Sequence, residues 1–142
     1  MAAAPAPAAG PIKVVAAFLD RRRTRGFVLD FSPLRDRFRV YPSERATASE
    51  AEEIEIRQLK AIFFVKEFTT QENQDPENPS EFTGRVHGRK IEVFFSDGEH
   101  LVGSTEGYSP NRLGFFFFPA NDRSNVLRAF VVNANVKRVA WI

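Results

Sequence analysis

The sequence predicts an all-β protein built of two tandem five-stranded small barrels related by internal duplication. Three observations predict it. Residues 12–65 align with residues 89–142 at a constant offset of 77 without a gap, giving ten identities in 54 pairs, where unrelated sequences would give roughly three. Within each copy, short apolar runs are punctuated by turn signals rather than by helical periodicity. The chain also carries 15 phenylalanines against a single Met and a single Trp, a composition suited to sheet-facing cores.

A length of 142 residues accommodates one domain or two units of about 55 residues, provided each closes a core. The repeat divides the chain into an Ala/Pro leader over 1–11 that is expected to be disordered, a first barrel over 12–66, a polar linker over 67–88 and a second barrel over 89–142. The identities are Lys13/Lys90, Phe18/Phe95, Asp20/Asp97, Gly26/Gly103, Ser32/Ser109, Pro33/Pro110, Arg35/Arg112, Phe38/Phe115, Pro42/Pro119 and Lys60/Lys137. They fall mainly at turns and at apolar positions.

The elements follow in order. Lys90 to Ser96 reads as a strand closed by the tight-turn pair Asp97-Gly98, and His100 to Tyr108 as the returning arm of a hairpin. The first copy keeps Asp20 but has Arg21 in place of the turn glycine, which predicts a longer or differently built turn. Gly26 and Gly103 lie inside the second strand, where a missing side chain marks a bulge or sharp bend. Ser-Pro then interrupts the ladder, because proline offers no N–H, and Phe38–Tyr41 and Phe115–Phe118 form third strands. The four consecutive phenylalanines imply burial on both faces or one exposed aromatic face, with core or inter-barrel packing the favoured reading. Ile54–Arg57 and Leu59–Val65, with Phe130–Asn133 and Val136–Ile142, supply strands four and five. Ser43 to Glu53 reads as a polar excursion. The linker is rich in Gln, Asn, Pro and Glu, and its Phe68 and Phe82 are candidates for docking onto a barrel.

Composition removes several function classes. With no cysteine there is no disulfide, thiolate nucleophile or Cys-based zinc site, and a reducing cytoplasm is the expected compartment. The leader lacks the basic and apolar regions of a signal peptide. No stretch reaches the roughly 18 apolar residues of a spanning helix, so no membrane partner is expected. The net charge of +2 is no general nucleic-acid signal. Its distribution is uneven: residues 12–65 hold 11 basic and 8 acidic groups, residues 66–88 hold 2 and 5, and residues 89–142 hold 7 and 5.

Ile91, Val93, Asp97, Gly98 and Gly103, followed by Val132-Asn133-Ala134-Asn135-Val136 and Val139, resemble the opening and closing motifs of Sm-like small barrels, a pattern shared with SH3-like barrels. The resemblance covers about 50 residues per copy and implies the fold. It would also imply RNA binding through an Asp and Asn after the second strand and an Arg-Gly in the closing turn. Ser109, Pro110, Asn111, Asn133 and Ala134 stand at those places instead. Arg21, Arg25, Asp30 and Ser32 resemble the cyclic di-GMP signature of PilZ domains, with shorter spacing and with Arg35 where that motif has glycine. The two-copy pattern as a whole resembles an uncharacterised bacterial domain associated with PilZ-containing proteins, which implies no activity.

Arg21, Arg22, Arg23 and Arg25, with Arg35, Arg37 and Arg39 nearby, form the densest positive charge. Guanidinium forks suit oxyanions, although charge runs are commonly solvated surface. His87 and His100 lack metal-ligand spacing, and Ser32 and Ser109 precede proline in turns rather than on a nucleophile elbow. Without a catalytic set, a metal site or a cofactor loop, the sequence points to a non-catalytic binding or regulatory module in a bacterial cytoplasm. It is expected to act through protein contacts, with Arg21, Arg22, Arg23, Arg25, Arg35 and Arg37 as the contact surface. The alternative is nucleic-acid or cyclic-dinucleotide binding through the same turn. No cofactor is expected.

Overall fold

The computed structural model describes residues 11–68 and 82–142. The leader through residue 10 and linker residues 69–81 lie outside the described residues. Among the described residues all the regular structure is β apart from three-residue 3-10 turns. Ten strands occur in chain order: β1 (Ile12–Phe18), β2 (Arg23–Val28), β3 (Arg37–Val40), β4 (Glu52–Glu55), β5 (Leu59–Val65), β6 (Arg89–Phe95), β7 (His100–Thr105), β8 (Gly114–Pro119), β9 (Val126–Val132) and β10 (Val136–Trp141). Eight of them form one antiparallel sheet in the order β10-β6-β7-β8-β9-β5-β1-β2, and β3 pairs with β4. A bridge between Phe27 and Tyr41 connects β2 to β3.

The ladders of the two halves share their register. Ile12 faces Val28, and 77 positions later Arg89 faces Thr105. Arg37 opposite Glu55 becomes Gly114 opposite Val132. The irregularity at Phe18↔Leu59 recurs at Phe95↔Val136, and the Phe27↔Tyr41 bridge recurs as Ser104↔Phe118. A 3-10 turn precedes the last strand of each half, at Ile56–Gln58 and at Asn133–Asn135.

Gly26 and Gly103 have a more specific reason than a bulge. A Cβ on Gly26 would collide with the carbonyl oxygen of Tyr41, and one on Gly103 with that of Phe118. The second and third strands therefore approach too closely for any side chain there.

The first hairpin corrects the expectation of a different turn. Phe18 N donates to Arg22 O and Arg21 N to Phe18 O, just as Phe95 N donates to Glu99 O and Gly98 N to Phe95 O. Arg21 has φ 74° where Gly98 has φ 94°. The arginine thus adopts the left-handed conformation of the glycine it replaces, because the hydrogen-bond pattern fixes the backbone whatever side chain it carries.

The two halves meet where β9 pairs with β5, with Ile62 opposite Phe130. This junction explains the unbroken apolar run of β5. Alternate residues of β1 and β5 enter different cores: Val15, Ala17, Ala61, Phe63 and Val65 join Ile91, Val93, Phe95 and Phe117. Val14, Ala16, Ile62 and Phe64 join Phe38, Val40 and Ile54. β9 does the same in reverse, sending Ala129 and Val131 to the first cluster and Phe130 and Val132 to the second. Strands buried on both faces read as continuous hydrophobic runs. The phenylalanine run divides likewise, Phe115 and Phe117 inward and Phe116 against the other half's core. Phe68 packs edge-on against Phe27 with centroids 5.5 Å apart, and Phe82 lies under the Lys90 ammonium at 4.8 Å.

Candidate binding cleft

The β1–β2 turn and strand β2 bring Arg21, Arg23 and Arg25 to one side of a cleft of about 970 Å³, which Phe18, Leu19, Lys60, Asp97 and Glu99 complete. Arg23 and Arg25 share a side because residues two apart on a strand point the same way. Arg21 joins them through its left-handed backbone. The opposite wall comes from the other half of the chain, since Asp97 and Glu99 belong to the β6–β7 turn.

Lys60 lies beneath that turn. Its side chain is 2% exposed and its ammonium is 3.0 Å from Asp97 Oδ2, with Glu99 as a second partner. The Phe95 ring lies 5.1 Å from the nitrogen. Burying an ammonium is costly unless it is paired, so the two carboxylates neutralise the lysine and hold the turn over it. Arg21, Arg23 and Arg25 add three guanidinium groups to the same lining.

The predicted arginines do not form one surface. Arg21, Arg23 and Arg25 share the cleft, whereas Arg22 turns back on its own hairpin. Its Nε lies 2.9 Å from Asp20 Oδ2 and its guanidinium 4.1 Å above the Phe18 ring. Donation from the Arg22 backbone N–H and then from its side chain holds the Asp20 carboxyl below its ordinary pKa. Arg35 and Arg37 line a separate shallow depression with Leu34, Asp36, Arg57 and Leu113. Arg37 reaches Glu53 and Glu55 at 3.6 and 3.8 Å.

Sequence reasoning missed Lys60, Asp97 and Glu99 as neighbours of the arginines. The available signal was a lysine inside the apolar run of β5, aligned with Lys137 at the offset of 77. Its partners are 37 and 39 positions away, and only the junction between halves unites them.

A second cleft, of about 610 Å³, lies between the two Ser-Pro loops and is lined by Leu34, Tyr108, Arg112, Phe115, Phe116 and Phe130 among others. Ser32 Oγ accepts a hydrogen bond from Leu34 N at 3.2 Å, a turn-stabilising contact. His87 stacks on Phe118 with centroids 4.2 Å apart, and His100 lies 3.4 Å from Glu92. Among the described residues no three His, Asp or Glu side chains cluster in a way that could hold a metal ion. No helix there is long and apolar enough to cross a membrane.

Residues 10–142 match the model of a family of unknown function, DUF6982. The chain belongs to that family. No curated protein and no solved structure matches it. The family description names no activity.

A left-handed conformation costs a non-glycine residue roughly 1–2 kcal/mol, and the corresponding position in the second half is a glycine. Arg21→Gly is expected to raise the free energy of unfolding by about 1 kcal/mol in urea denaturation. An unchanged or lower stability would show that the Arg21 side chain makes compensating contacts.

Proposed function

We propose that the chain is a non-catalytic binding module of two Sm-like or SH3-like small barrels that arose by duplication, and that it binds an acidic segment of a partner protein in the arginine cleft. Support for duplication comes from the shared 77-residue offset of the ladders, the bridge and the 3-10 turns. The observation that carries the binding reading is Arg21 itself, a strained arginine at the mouth of a polar cleft. Backbone strain retained at a surface turn points to function rather than to folding.

The partner class follows from the two unlike walls. Arg21, Arg23 and Arg25 carry planar guanidinium forks of the kind that suits carboxylates, while Asp97 and Glu99, together one charge in excess of the lysine they pair with, disfavour a continuous run of phosphates. A peptide segment that carries carboxylates on one side and neutral or basic groups on the other fits both walls. Compartment follows from the absence of cysteine, and the bacterial cytoplasm is the proposed setting.

The test is a salt-dependent titration of the purified chain against labelled acidic peptides, single-stranded RNA, single-stranded DNA and cyclic di-GMP, with the Arg21/Arg23/Arg25 triple alanine variant alongside. Micromolar binding of an acidic peptide is expected, weakening with salt and lost in the variant. Peptide binding that survives in the variant would remove the cleft as the site. Tighter binding of a nucleic acid or cyclic dinucleotide, lost on the same substitutions, would put phosphate recognition in place of the peptide.

A further inference from the structure

The contacts that join the two halves have counterparts on the chain's two open ends, and we infer that they let one copy bind the next head to tail, strand β4 of one copy pairing with β10 of another.

Three contacts define the internal junction. Strand β9 pairs with β5 in the register Ala61↔Val131 and Phe63↔Ala129. Lys60 binds Asp97. Asn135 Nδ2 donates to the carbonyls of Arg57 and Leu59 at 2.8 and 2.7 Å.

Shifted by 77 positions, each contact maps onto groups that the fold leaves at its ends. The counterparts of β9 and β5 are β4 and β10. Among the described residues β10 ends the eight-stranded order and β4 has only β3 beside it, so each presents an open edge. Unpaired strand edges are templates for another chain. Lys60 and Asp97 correspond to Lys137 and Asp20, both exposed; the lysine and the aspartate are kept, while Glu99 is replaced by Arg22, which holds Asp20 in the single chain. Asn135 corresponds to Gln58, which retains the amide.

The charges of the open edges are complementary as well. The transposed register sets Arg138 opposite Ile54 and Ala140 opposite Glu52, and one step along sets Lys137 opposite Glu55. Thus β4 brings Glu52, Glu53 and Glu55 to an edge on which β10 offers Lys137 and Arg138. Opposite charges facing across a ladder favour pairing.

What seals the two junctions differs. Inside the chain, Phe116, Phe130 and Val132 pack with Ala16, Ile62 and Phe64 on one face of the junction, and Ala129 and Val131 with Ala17, Ala61 and Phe63 on the other. At the ends the counterparts of the first set are Arg39, Glu53 and Glu55 with Val93, Val139 and Trp141, and those of the second are Glu52 and Ile54 with Phe94, Arg138 and Ala140. The permanent junction is apolar throughout, whereas the open one carries ionic groups on both faces. Association between copies is therefore reversible and sensitive to salt, which screens partly exposed pairs.

Sedimentation velocity on the whole chain tests this, at protein concentrations from low micromolar to near millimolar, in low salt and in about 0.5 M salt. Concentration-dependent association is expected in low salt and its loss in high salt. Lys137→Glu is expected to weaken it at least tenfold, and Glu55→Lys likewise. Mixing the two variants restores association, because the unaltered β4 of one meets the unaltered β10 of the other. A monomer at every concentration in low salt would overturn the inference. So would association indifferent to Lys137→Glu, or association that mixing fails to restore, which would indicate like-to-like pairing of β10.

Discussion

Phe63→Ala is expected to lower the free energy of unfolding by about 3–5 kcal/mol, the cost of emptying a phenylalanine site in a packed core. Phe63 is fully buried. It belongs by sequence to the first half of the chain yet packs among Ile91, Val93, Phe95 and Phe117 of the second. The loss should therefore appear as a single transition that shifts as a whole, with far-ultraviolet circular dichroism and Trp141 fluorescence moving together. Trp141 lies in β10, at the opposite end of the sheet from β2, so it reports on the second half. Two transitions in the variant, one unmoved, would mean that the halves fold independently and that the shared cores contribute little.

The all-β class was legible because it depends on local pattern, but Ile54–Arg57 and Phe130–Asn133 were placed late against β4 and β9, because a 3-10 turn follows each of those strands. The repeat offset anticipated shared boundaries, and Asp97-Gly98 marked its turn. The β1–β2 turn was misread because arginine signals a different geometry from glycine, whereas the backbone hydrogen bonds of Phe18, Arg21 and Arg22 impose the same one. The junction could not be read at all. Which strand of one half meets which strand of the other depends on pairings more than 60 residues apart in sequence, such as Ile62 with Phe130. The apolar run Leu59–Val65 read as a strand but did not show what lay on either face.

The cleft was half legible for the same reason. Arg21, Arg23 and Arg25 are neighbours in sequence, and strand alternation alone predicts that the last two point together. Arg22 belongs to the other side by that same alternation. Lys60, Asp97 and Glu99 join them only through the fold. Four cations and two carboxylates thus came from segments that sequence proximity would have kept apart, and a net charge counted along the chain could not describe their balance.

That balance makes the ion pair under the turn the second place to look for a large effect, and the expected result is asymmetric. Replacing Asp97 and Glu99 together by Asn and Gln removes both carboxylates from an ammonium that is 2% exposed. An uncompensated buried charge costs about 3–5 kcal/mol, whereas a buried pair replaced by apolar groups is often neutral. The Asp97 and Glu99 side chains are 20% and 51% exposed, and Asp97 also accepts from Glu99 N at 3.0 Å. They tolerate the loss of the lysine far better than it tolerates theirs. The double variant is accordingly expected to unfold about 3 kcal/mol more easily, near the lower end of the range because Glu99 is half in water. Lys60→Met, which fills the same volume, should stay within about 1 kcal/mol of the parent. Urea denaturation of the three proteins at neutral pH measures both. Equal losses from either side would mean that the pair stabilises the junction through its attraction, and a negligible loss in the double variant would mean that water reaches the Lys60 ammonium.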